Sequence, residues 1–152
     1  MKTFLITILF LTIFTNCSTN NAFSHFNMDQ DEAKSEDSFQ SSKIFNNKEN
    51  EGILSIIYLN RVLPEEYNDK EYFYVYLYTK NDTEKVNFFL NDIESIETTK
   101  LKPQNKFSDL TSFDGDWQRY YLVIFKKQER SVLKLEAKTL QGSSRKMIFI
   151  KD

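Results

Sequence analysis

Histidine, cysteine and tryptophan occur once each, and the chain holds only three glycines and two prolines. The single histidine, His25, falls in a polar N-terminal stretch, so no His-assisted nucleophile can sit in the remainder. No phosphate-binding glycine loop, Gly-x-Ser-x-Gly turn or zinc-ligand spacing is present. These absences argue against an enzyme and against a bound metal or cofactor. A formal net charge of −2 lacks the basic stripe that nucleic acid demands. The longest apolar run, Phe4 to Phe14, is too short to cross a bilayer core of roughly 30 Å as a stable helix.

What is present begins with the N-terminus. Met1-Lys2 supplies a positive start, FLITILFLTIF follows from Phe4 to Phe14, and Thr15-Asn16-Cys17-Ser18 turns abruptly polar. That is the layout of a secretory signal. With Cys17 at the cleavage point the segment resembles a bacterial lipoprotein signal. Phe14-Thr15-Asn16 stands where most such signals read Leu-Ala-Gly, a looser pattern similar to that of spirochaetal outer-surface lipoproteins. The resemblance implies that residues 1–16 are removed and that Cys17 carries a thioether-linked diacylglycerol and an amide-linked acyl chain. It implies attachment to the outer membrane, facing outward, and a partner among host or vector proteins. A periplasm-facing accessory role in envelope assembly or transport is the alternative. With its thiol lipidated, the mature chain has none left for a disulfide or redox work.

Ser18 to Glu51 holds seven acids against three lysines, whereas Gly52 onward holds fifteen acids against sixteen bases. The acidic stretch shows neither period two nor period 3.6, so residues 17–51 read as a lipidated, disordered tether. As a flexible coil it spans about 30 Å. A helix over Met28 to Phe39 is the competing reading, encouraged by its acids and Ala33.

From residue 52 to 152 the pattern is that of strands. They are expected at Ile53–Asn60, Tyr72–Thr79, Lys85–Leu90, Ile93–Leu101, Trp117–Lys126, Ser131–Leu140 and Lys146–Lys151. No helix is evident and no crossover is long enough for a parallel sheet. The expected fold is all-β: an antiparallel β-sandwich of about seven strands, immunoglobulin-like or C2-like in architecture, with a small barrel as alternative.

Candidate contact residues are aromatic. Alternation places Tyr72, Tyr74, Tyr76 and Tyr78 on one face and Phe73, Val75 and Leu77 on the inward one. An outward tyrosine ladder is a rigid amphipathic surface suited to protein recognition. Trp117, Arg119, Tyr120 and Tyr121 form a second cluster beside an acidic loop, with residue types enriched at binding hot spots. Asp109, Asp114 and Asp116 lack the acid spacing of a calcium loop. Asn81-Asp82-Thr83 fits a glycosylation sequon that an exported bacterial protein does not use. Oligomeric state is not encoded in any of these features.

Overall fold

The computed structural model describes residues 30–46, 49–80, 85–111, 115, 117–140 and 142–151. Helix α1 (Gln30–Asp37) leads into β1 (Phe39–Asn46), β2 (Glu49–Tyr58) and the one-turn helix α2 (Leu59–Val62). There follow β3 (Glu71–Thr79), β4 (Asn87–Leu90), β5 (Ile93–Glu94) and β6 (Glu97–Leu101). A 3₁₀ turn (Ser108–Leu110) precedes β7 (Arg119–Phe125), β8 (Val132–Lys138), β9 (Ser143–Ser144) and β10 (Met147–Ile150). Among the described residues no helix is long and apolar enough to cross a membrane.

The expected all-β antiparallel fold is present, and every strand predicted beyond residue 52 has a counterpart. The strands form one ten-stranded sheet in the order β5-β4-β8-β9-β1-β2-β3-β7-β6, with β10 also on β8. The two halves are therefore continuous through β9 rather than separate sheets. The sheet curls until its ends nearly meet: Ser95 N–H donates to Phe88 O and Ile96 N–H to Ile124 O, both at 2.9 Å. Asn91 and Asp92, at φ 50° and 68°, make the tight turn between β4 and β5.

The tether reading requires correction. Gln30–Asp37 is helical, and Phe39–Asn46 pairs antiparallel with β2 from Phe39↔Ile57 to Asn46↔Glu49. The boundary placed at Gly52 thus falls inside β2. β1 escaped detection because its inward parity carries Gln40 and Ser42, so only Ile44 is buried there. A strand without apolar alternation is held by its ladder and gives no periodic signal. Residues 17–29, including Cys17, lie outside the described part.

Two cores result, one on each side of β2 and β3. Inside the curl, Leu54, Ile56, Phe73, Val75 and Leu77 pack against Phe88, Leu133, Leu135, Met147 and Phe149. On the other side Ile57, Tyr74, Tyr76 and Tyr120 meet Leu59 and Val62 of α2 and Tyr67, Phe107 and Leu110 from the covering loops. Burying each such side chain contributes about 1.5–3 kcal/mol. Ser35 Oγ donates to Leu110 O at 2.5 Å and ties α1 to this outer layer.

Candidate aromatic groove

The tyrosine ladder does not form an open face. Tyr74 is 0 % and Tyr76 5 % exposed, because Phe107 and Leu110 fold over them from the loop after β6. Asn105 anchors this lid: its Nδ2 donates to the Tyr74 hydroxyl at 3.2 Å and to Lys102 O at 3.0 Å. Its Oδ1 accepts from Phe107 N–H at 3.0 Å. The Tyr74 ring lies 5.1 Å from Phe107 and stacks on Tyr120 at 6.2 Å. Burial pushes the Tyr76 phenol above its ordinary value. Tyr74 and Tyr76 are core residues, so the expected open face of tyrosine contacts is corrected: Tyr74 is covered completely, and Tyr76 recurs at the floor of the groove described below.

The two ends of the ladder differ. Tyr72 is half-buried, edge-on to Tyr67 at 4.9 Å, and donates to Asp69 Oδ1 at 2.6 Å. That bond to a carboxylate raises the Tyr72 phenol to about 12 and holds the Asp69 carboxyl below its usual range. Tyr78, at the other end, is exposed. Its ring meets Trp117 edge-on at 5.5 Å and 76°, so one residue from each predicted cluster comes together there.

Trp117 is positioned by the short turn before β7. Gln118 N–H donates to Gly115 O at 3.1 Å. The Tyr120 hydroxyl, rooted in the outer core, donates to Gly115 O and accepts from Gly115 N–H, both at 3.1 Å. A Cβ on residue 115 would stand 2.6 Å from Trp117 Nε1, so glycine is what admits the indole against the turn. Trp117 remains 62 % exposed.

Below the indole runs an apolar groove of about 330 Å³ across β3, β2 and β1. Tyr78, Ile53 and Phe39 line it, with Tyr76 at its floor and Gln118, Ser41 and Ser55 as polar points. Phe39 stacks on Tyr76 at 6.2 Å and 22°. Ser55 Oγ donates to Ser41 Oγ at 3.2 Å. Phe39 and Ile53 were missed at the sequence level. Ile53 carries the parity of the tyrosines through the register Ile53↔Tyr78, a pairing that only the register shows.

Arg119 and Tyr121 face the other way. Arg119 pairs in register with Leu77, and its Nη2 donates to Thr79 Oγ1 at 2.6 Å. Tyr121 is half-buried against Phe88 at 5.9 Å, within the inner core. Neither belongs to the groove. Asp109 is exposed, whereas Asp114, Asp116 and the 81–83 sequon lie outside the described residues. Among the described residues no His, Cys, Asp and Glu gather in a group that could hold a metal ion.

No protein-family model matches the chain, and no curated protein matches its sequence.

Proposed function

We propose that this protein is a lipid-anchored outer-surface lipoprotein whose folded head binds a protein partner through the Tyr78–Trp117 groove. The observation that carries the reading is the placement of Trp117, a large exposed aromatic held over an apolar cleft with polar points at its edge. Aromatic anchors of limited rotamer freedom at such clefts supply much of the energy of protein recognition. The resemblance of Met1 to Cys17 to a lipoprotein signal supports the anchor, with Cys17 acylated and a host or vector molecule as partner. Several acyl chains hold durably, since each buried CH₂ contributes about 0.8 kcal/mol.

Three measurements test this. Mass spectrometry of the mature N-terminal peptide should find acylated Cys17. Protease shaving of intact cells should remove the head without permeabilisation; protection would place it in the periplasm and favour the accessory role. Replacement Trp117→Ser should weaken partner binding by about 2 kcal/mol or more, the range of a hot spot, while the thermal transition stays put. Unchanged affinity would remove the groove from the interface.

A further inference from the structure

A second surface lies on the other side of β1, where the curled sheet fails to close. β1 touches β9 only at Ile44↔Ser144 and Phe45↔Ser143, and β10 pairs with β8. Beside that apex Arg145 N–H donates to Ser42 Oγ at 3.1 Å, and β1 and β10 form no ladder with each other; a cleft of about 590 Å³ lies between Gln40–Phe45 and Arg145–Ile148. The ladders fix which backbone groups face it. Tyr58 N–H donates to Ser38 O, so Gln40 and Ser42 bond towards β2, and Phe39 and Ser41 direct their N–H and C=O groups outward. Lys151 N–H donates to Ser131 O, so Met147 and Phe149 bond towards β8; Ile148 directs its groups into the cleft, and Ile150 directs its own away from β8 on the same edge.

Side chains agree with an unfilled place in the sheet. Gln40 and Ser42 share parity with the buried Ile44, yet Gln40 is exposed and Ser42 half-buried. Ile148, on the outer parity of β10, is 53 % exposed. Cations mark the apex: Lys43 is exposed, Arg145 lies over the Phe45 ring at 5.8 Å, and Lys146 stands beside it. Asp92, 2.6 Å from Lys146, is the opposing charge there and offsets one of the three.

We infer that the cleft between β1 and β10 accepts an extended acidic segment of a partner protein as an added strand. Strand edges whose donors and acceptors turn outward, as those of Ser41 and Ile148 do, template an added strand, and main-chain bonds supply the affinity. Because β10 runs against β1, the guest lies antiparallel to one and parallel to the other. The antiparallel match with β1 is favoured by its straighter bonds. Alternate guest side chains then turn inward beside Met147, which favours apolar residues. The intervening ones meet Lys43, Arg145 and Lys146, which favours acids. The chain's own segment 18–29 holds Asp29 as its sole acid and lacks that alternation.

Fluorescence polarisation with the full chain in detergent tests the inference. The probes are labelled peptides of about nine residues that alternate Glu with Val, Ile or Tyr. Saturable binding is expected, weakened by salt. Charge reversal Arg145→Glu with Lys146→Glu should weaken it about tenfold. N-methylation of alternate peptide nitrogens, which leaves the protein untouched, should weaken it more than tenfold. Ser41→Pro should act likewise, since the ladder with β2 does not use that N–H. Failure of every peptide to bind, equal binding of Lys-for-Glu peptides, or indifference to N-methylation would each overturn the inference. So would a dimer of the chain that excludes the peptide, or binding seen only after residues 18–29 are removed. Trp117→Ser leaves this site intact, so the groove and the cleft stand or fall separately.

Discussion

At the scale of single residues, the most consequential group away from the groove is Glu71, fully buried at the start of β3. Its Oε2 accepts from the Tyr58 hydroxyl at 2.5 Å, and its Oε1 from Gln128 N–H at 2.9 Å and Lys151 Nζ at 2.7 Å. Lys151 also donates to Gln128 O at 2.7 Å. The four residues close one end of the curl, joining β2, β3, the β7–β8 loop and the residue after β10. Removing one partner of a buried ion pair leaves an unpaired charge and costs about 3–5 kcal/mol. Lys151→Met should sit near the low end, about 3 kcal/mol, because the lysine side chain keeps 22 % of its surface in water. Adding Glu71→Leu should recover part of that loss, and denaturant titration of both variants checks the pair. Sequence alone gave no hint of this cluster, since its members are far apart in the chain and only the ladders bring them together.

The Tyr72–Asp69 bond gives a pH signature at the same scale. A raised phenol value means the folded state favours neutral Tyr72. Its contribution is whole below the ordinary value of 10.0 and is lost as pH climbs through about 12. The lowered Asp69 value works at the acid end: its contribution is present above 3.8 and lost as pH falls through the lowered value. Tyr72→Phe should remove from an ultraviolet absorbance titration a phenol that titrates at about 12. It should also flatten stability between pH 10 and 12; an unchanged alkaline limb would contradict the bond.

At the scale of elements, the decisive case is β3. Its alternation was legible, and both faces were assigned to the right residues. What could not be read was that the tyrosine face is covered. Coverage comes from Phe107 and Leu110, two apolar residues in a segment otherwise polar enough to pass for a solvated loop. Their burial depends on Asn105 turning the chain back onto the sheet, a tertiary event with no period in the sequence. Tyr74→Ala should therefore cost about 3–5 kcal/mol, as removal of a buried aromatic does, instead of weakening a partner. β1 illustrates the opposite failure: a largely polar strand reads as tether because Phe39, Ile44 and Phe45 make no alternation, and its pairing with β2 shows only in the ladder. Close approach constrains β2 as well. A Cβ on Gly52 would lie 2.3 Å from Tyr78 O. Gly52→Ala should cost about 1–3 kcal/mol by forcing the strands apart, and a thermal melt would register it. A melt unchanged from the parent would mean the two backbones sit farther apart.

At the scale of the whole molecule, one curled sheet packs two cores, one on each side of β2 and β3. The candidate docking sites are left at its margins: an aromatic groove beside the β7 turn and a cleft where the curl stays open. Both border β1, the element that the sequence concealed. Of the groove's apolar lining, Tyr76 and Tyr78 were named from strand alternation and Trp117 from residue type. Phe39 and Ile53 required the register of β1 on β2 and of β2 on β3. The proposed lipid anchor concerns a different part of the chain and is tested by its own chemistry.

Covered sheet and groove alike depend on which aromatics meet solvent, and hydroxyl-radical footprinting of the full chain, read by mass spectrometry, measures this directly. Trp117 and Tyr78 should oxidise quickly while Tyr74, Tyr76 and Tyr120 stay protected until the protein is unfolded. Oxidation of Tyr74 and Tyr76 at the rate of Tyr78 would show an open tyrosine face and contradict the covered sheet and the groove alike.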